Sequence, residues 1–116
     1  SPIVLVRIPP DTLDLPLRRA GWAPHGILAY SKTCTHAACA VSLFRYPMAT
    51  ETSAGPALVC PCHYSTFDVA RGAKPIFGPA ARALPQLPLE IAKDGTLIAG
   101  GPLSGDVGPS WWGVLQ

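Results

Sequence analysis

Short apolar runs, many of them β-branched and each broken by proline or glycine, dominate the chain. Ile3–Ile8 strings Ile, Val, Leu and Val together and ends at Pro9-Pro10. This predicts a strand, because β-branched side chains suit a pleated surface and a proline pair cannot extend a ladder. Gly26–Ser31 and Ala40–Tyr46 predict two more, and Ala57–Cys60 and Thr66–Val69 are shorter runs of the same kind. Leu87–Ala92 and Thr96–Ala99 flank Lys93-Asp94-Gly95, where Asp-Gly is a strong hairpin signal. Asp11–Pro24 reads as loop with one helical turn, and Pro47–Pro56 as an exposed loop. Arg71–Ala83 reads as irregular backbone and Gly100–Gln116 as a tail carrying Trp111-Trp112. The pattern predicts one all-β domain over residues 1–116, with no internal repeat.

Composition sharpens this picture. A chain of 116 residues can bury one modest core. Its 14 prolines and 11 glycines argue against long helices. Charged residues are 14% and the net charge is +2, and the basic residues form no run longer than Arg18-Arg19. A nucleic-acid binder would carry a basic patch, and none is visible. No stretch approaches the roughly 20 apolar residues of a membrane span, and no signal-peptide pattern opens the chain. It starts at Ser1, close to a strand, as expected of a trimmed soluble piece of a longer protein.

Two clusters carry the chemistry: Cys34-Thr35-His36 and Cys60-Pro61-Cys62-His63. Each offers a thiolate and an imidazole at loop spacing, and each follows a predicted strand, so the two fit adjacent loop tips. Such ligands suit zinc or iron–sulfur chemistry. Zinc fingers pair Cys-x-x-Cys with His-x₃₋₅-His, whereas here each half is mixed and Cys34-x-His36 is tight for one ion. A binuclear iron–sulfur site resolves this, because each half gives one ligand to each metal. Plain disulfides among the four cysteines leave the matched histidines unexplained. A thiol-redox site lacks the Cys-x-x-Cys spacing. With Cys34 and Cys60 on the metals, Cys39 and Cys62 are left either bonded to each other or free. His25, between Pro24 and Gly26, reads as a surface loop residue, and Asp68 as a turn cap or a solvated strand end.

Cys34-Thr-His-Ala-Ala-Cys39 and Cys60-Pro-Cys-His-Tyr-Ser65 resemble the two motifs of the Rieske iron–sulfur protein of cytochrome bc complexes. The resemblance covers roughly Gly26–Ala99, and Gly78-Pro79-Ala80 is similar to the family's proline loop over the cluster. It implies a Rieske-like fold of short antiparallel strands, with a cluster-binding subdomain of about residues 32–83 made of two loops and the proline loop. It implies a [2Fe-2S] cluster with Cys34 and Cys60 on the inner iron and His36 and His63 on the outer, and a Cys39–Cys62 disulfide. It also implies that Ser65 tunes the cluster through a bridging sulfide.

The chain departs from the family in four places. The interval between the clusters is longer, through Phe44–Ala57. Ala37-Ala38 replaces a common Leu-Gly. Tyr64 replaces a usual Gly. Phe67 replaces a tyrosine that in many members hydrogen-bonds a ligand sulfur, so a lower potential is expected. With Trp111-Trp112, these features look most similar to bacterial menaquinol-type members.

The implied function is one-electron transfer within a quinol:cytochrome c reductase. Two ferric ions, two sulfides, two thiolates and two neutral imidazoles carry a formal charge of about zero, which favours electron uptake. The outer nitrogens of His36 and His63 are placed to take a hydrogen bond and a proton from a hydroquinone, and the electron then passes to a c-type haem. The expected partners are a cytochrome b-type membrane subunit, a cytochrome c-type protein and a quinol, menaquinol favoured. The chain is not expected to turn over quinol alone. The expected location is the outer, positive face of the bacterial cytoplasmic membrane, anchored by a segment absent from this chain. The Rieske subunit of a molybdenum oxidase such as arsenite oxidase, and a zinc-binding structural module, are the competing readings.

Overall fold

The computed structural model describes residues 2–45 and 55–109. β1 (Ile3–Arg7) alternates as its composition demands: Val4 and Val6 turn toward the interior while Leu5 and Arg7 face out. It pairs antiparallel with β2 (Ile27–Ser31) from Ile3↔Ser31 to Arg7↔Ile27. β2 in turn pairs with β7 (Gln86–Leu87), closing a three-stranded sheet of order β1-β2-β7. The second sheet has the order β3-β4-β5-β6, built from Leu43–Arg45, Ala57–Val59, Thr66–Asp68 and Lys74–Phe77, with every pairing antiparallel. β8 (Leu89–Ile91) and β9 (Leu97–Ala99) form the hairpin that Asp94-Gly95 announces. There Ala92 N–H donates to Thr96 O at 2.8 Å, and the Asp94 carboxylate accepts the Thr96 N–H at 2.9 Å. Gly95 supplies the positive φ of 89°.

The core lies between the two larger sheets and is filled by Leu28, Tyr30, Val41, Leu58, Phe67 and Leu84, all but closed to water. Cys34 and Cys60 belong to the same cluster, at its edge. Tyr30 donates its hydroxyl proton to Val69 O at 2.7 Å, so a side chain of the first sheet is tied to backbone beyond the second. Burial pushes the Tyr30 phenol far above its ordinary range.

Some expectations need correcting. Arg71–Ala83 is not wholly irregular, since it contains β6. Pro75 hid this strand, because a proline argues against a ladder except on an edge, and β6 is an edge. The β5–β6 register also slips between Thr66 and Phe67. Leu87–Ala92 is not one strand: Pro88 splits it, so that one part joins the first sheet and the other the hairpin. Asp11–Pro24 contains two 3₁₀ turns, Pro10–Thr12 and Leu17–Arg19, and a third follows at Pro24–Gly26. Gly100 to Pro109 folds back as more than a tail, with Gly100 N–H on Pro88 O and Ser104 N–H on Gln86 O. Asp68 is neither cap nor solvated: it is buried and paired with Arg71 at 2.8 Å. The expected loop at 47–54 and Trp111-Trp112 lie outside the described residues. Among the described residues no helix is long and apolar enough to cross a membrane.

Candidate metal centre

The two Cys/His clusters occupy matched turns. The first follows β2 and is pinched by a bridge between Thr33 and Ala40. The second joins β4 to β5. In the first, Cys34 N–H donates to Cys39 O at 2.9 Å and Cys34 O accepts from Ala38 N–H at 3.0 Å. In the second, Cys60 N–H donates to Ser65 O at 2.9 Å and Cys60 O accepts from Tyr64 N–H at 2.9 Å. Cysteine thus stands at the same place in both turns. The fourth residue after each cysteine is left-handed, Ala38 at φ 64° and Tyr64 at φ 61°. A left-handed residue with a Cβ costs roughly 1–2 kcal/mol, so the turn geometry overrides local preference twice.

These turns bring the four predicted ligands together in two layers. Cys34 and Cys60 lie inside, each 1% exposed, with free thiols. The two thiols are close enough for Cys34 to disfavour the Cys60 thiolate. Outside them, the His36 and His63 rings meet edge to face, with centroids 5.0 Å apart. His36 is half-buried and His63 exposed. Backbone amides point at the inner sulfurs: His36 N–H at Cys34 Sγ, 3.5 Å, and the amides of Cys62 and His63 at Cys60 Sγ. Burial pushes the Cys60 thiol up, and the amides only partly offset this. Cys39 and Cys62 are joined in a disulfide, with Cα atoms 6.4 Å apart, which clamps one turn to the other. The sulfurs of Cys39, Cys60 and Cys62 lie within 4.8 Å of one another, but two are spent in that bond. Cys34 therefore remains as the sulfur partner of Cys60.

Gly78-Pro79-Ala80 closes the third side. Ala80 N–H donates to Ser65 Oγ at 3.1 Å, fixing this segment to the second turn. A Cβ on Gly78 would stand 2.6 Å from Ser65 Cα, and its φ is 88°, so contact and conformation both require glycine. Ser65 is fully buried. Phe67 is fully buried in β5. His25 is exposed, away from this centre, as its setting between Pro24 and Gly26 predicts.

Two supporting residues escaped sequence reasoning. Thr35, between the first-turn Cys and His, donates its hydroxyl to Arg82 O at 2.7 Å. The Arg82 guanidinium reaches the carbonyls of Asp106, at 3.2 Å, and Gly108. The Thr within Cys-x-His was a visible signal, whereas its partner 47 residues on was not.

A model of the Rieske [2Fe-2S] domain matches residues 14–88, more than half of the chain. The chain belongs to the Rieske [2Fe-2S] family. The donors fit the family's cofactor: two buried thiols lie under two outward imidazoles, and His36 Nδ1 is buried without a hydrogen-bond partner among the described residues. Family membership leaves the zinc-module reading without support. This Rieske domain is 44% identical over 110 residues to a "Cytochrome bc1 complex Rieske iron-sulfur subunit" of Streptomyces lividans, covering 95% of the chain and 60% of that relative. It is 41% identical over 115 residues to the subunit so named in Mycobacterium tuberculosis (strain ATCC 25618 / H37Rv), covering 97% of the chain and 25% of the relative. The soluble domain of the Rieske protein II (soxF) from Sulfolobus acidocaldarius is structurally similar, with a TM-score of 0.54 and 30% identity. That likeness covers 68% of this chain and 42% of the solved one. The Rieske domain thus spans 60% or less of the length of these relatives.

Proposed function

We propose that this Rieske domain is the one-electron carrier of a quinol:cytochrome c reductase. The separation of the donors into a buried thiol pair and an outward imidazole pair carries this reading, and the names of the relatives support it. Cys34 and Cys60 hold the inner iron, and His36 and His63 the outer. The bound [2Fe-2S] cluster supplies one-electron redox chemistry. The chain's own residues do the rest. His63, exposed, and His36, half-exposed beside it, offer ring nitrogens to the hydroxyl of a hydroquinone and take its proton. Ser65 is held by Ala80 with its hydroxyl proton available toward the cluster, and Phe67 offers no such donor. The disulfide and the Gly78–Ala80 segment keep the two turns in register and exclude water from the thiols.

The partners in this reading are a cytochrome b-type membrane subunit, a c-type haem protein and a hydroquinone, menaquinol favoured. The carrier works at the outer face of a bacterial cytoplasmic membrane, anchored by sequence beyond this chain. Residues 1–116 act as one domain, with about 32–83 as its cluster-binding part. The test is quinol-driven reduction of c-type haem by the purified complex containing the full-length subunit, with the cluster followed by EPR. Wild type is expected to reduce the haem, and His63→Ala to abolish both the EPR signal and the activity. A complex that oxidises quinol normally without that signal overturns the proposal.

A further inference from the structure

The ladder of β1 and β2 has two ends. Ile3↔Ser31 lies beside the first ligand turn, and Arg7↔Ile27 lies at the other end. At about 3.4 Å per residue, the strands alone separate these ends by roughly 14 Å. A cleft of about 410 Å³ opens at the far end, lined by Arg7, Ile8, Pro9, Pro10 and His25. This volume lies in the range of roughly 300–1,000 Å³ usual for ligand pockets. Ile8 is buried, and the other four lining residues are exposed. The backbone fixes the walls to one another. Ile8 N–H donates to Gly26 O at 2.9 Å, and a Cβ on Gly26 would overlap Ile8 O. Gly26 is left-handed at φ 79°, and so is His25 before it, at φ 56°. Histidine is among the side chains found more often in that conformation.

The lining chemistry indicates the ligand. Pro9 and Pro10 have no N–H to offer, so the side chains that can donate into the cleft are Arg7 and His25. Among the described residues neither side chain makes a hydrogen bond or an ion pair. Asp11, beyond Pro10, and Glu90, on the hairpin strand packed against Pro24–Gly26, leave both unpaired. Arg19, Arg71 and Arg82, by contrast, are each tied to an acceptor. A guanidinium matches a carboxylate in shape and charge. A lone inorganic anion would leave Ile8, Pro9 and Pro10 uncovered, and a small molecule would stay wet on the open side. An acidic side chain with an apolar neighbour, presented on a protein surface, covers both parts. We propose that the cleft docks an acidic segment of a neighbouring protein subunit. Its carboxylate pairs with Arg7 and His25, and an adjacent apolar side chain lies on Ile8, Pro9 and Pro10. The choice of a protein over a membrane rests on the quinol-oxidising reading above, which turns the imidazoles toward the membrane and this cleft away from it.

The test uses the purified complex with the full-length subunit carrying p-benzoylphenylalanine in place of Pro10. It is irradiated, and the adduct is mapped by mass spectrometry. The adduct is expected on a segment of another subunit where Asp or Glu adjoins an apolar residue. Arg7→Glu should lower the yield roughly five- to tenfold, as a lost ion pair turns repulsive. Arg7→Gln should lower it less. Changing the mapped carboxylate to Lys should restore the yield in the Arg7→Glu complex. The EPR spectrum and midpoint potential should keep their wild-type values in each variant, because the cleft is remote from the ligand turns. An adduct on a basic or uncharged segment, an adduct on phospholipid, or no adduct at all overturns the proposal. So does a yield indifferent to Arg7, or one that the reversed pair fails to restore. A wild-type complex that oxidises no hydroquinone would instead refute the underlying function.

Discussion

Replacing both Cys39 and Cys62 by Ala removes the covalent tie between the ligand turns while leaving all four metal ligands in place. The bond closes a loop with a sequence separation of 23. The loop-closure relation for that length gives about 3.4 kcal/mol at 25 °C. At an unfolding entropy of about 2.1 cal/mol/K per residue, this corresponds to a melting temperature lower by roughly 14 °C for a chain of 116 residues. Cys62 is exposed and Cys39 only partly buried, so the lost packing adds little. Urea unfolding followed by circular dichroism measures the change as a shift in midpoint. Wild type under reductant should approach the same value. A double variant within about 1 kcal/mol of wild type would mean that the turns are held by their hydrogen bonds and the Gly78–Ala80 segment, and would refute the loop-closure argument.

Replacing His36 or His63 by Ala, or Cys34 or Cys60 by Ser, should abolish the visible and EPR spectrum, and a spectrum that survives any one of these changes would exclude that residue as a ligand. Phe67→Tyr should raise the midpoint potential by roughly 40 mV, the equivalent of about 1 kcal/mol for one electron, if its hydroxyl reaches a ligand sulfur. An EPR redox titration that finds no rise would refute the tuning role. Tyr30 is held neutral by burial, so its folded pKa lies above its unfolded value near 10. Its contribution is therefore complete below about pH 10 and is lost as pH rises further. Tyr30→Phe should cost about 1 kcal/mol at neutral pH, because Val69 O loses its donor. The variant should also show a shallower alkaline loss in pH-dependent melts, and equal slopes would contradict the assignment.

What was legible in the sequence follows from how strictly chemistry or geometry fixes residue identity. Cys34, His36, Cys60 and His63 were readable because few side chains can bind such metals, and Asp94-Gly95 because few dipeptides make that turn. β6 was not, since Pro75 looks the same in an edge strand as in a loop. The burial of Asp68 was equally hidden: a carboxylate three residues before Arg71 gives no sign that it will face that guanidinium rather than water until the turn after β5 is formed. Tyr64 was visible as an oddity, in a place where the resembling family has glycine. Its strain became apparent only with the backbone angle.

Arg82 gives the last-described stretch of the chain an architectural duty. Its carbonyl takes the hydroxyl of Thr35, between two proposed ligands, while its guanidinium is held by the carbonyls of Asp106 and Gly108. Cutting the chain before residue 104 would leave a part-buried cation without these acceptors, and its Nε is already buried and, among the described residues, unpartnered. An uncompensated charge of this kind moves toward water, and the carbonyl that steadies Thr35 moves with it. The family match ends at residue 88, yet the frame of the metal centre extends at least to Gly108. A fragment trimmed to the recognisable family region would keep every proposed ligand and lose one of the struts that hold them.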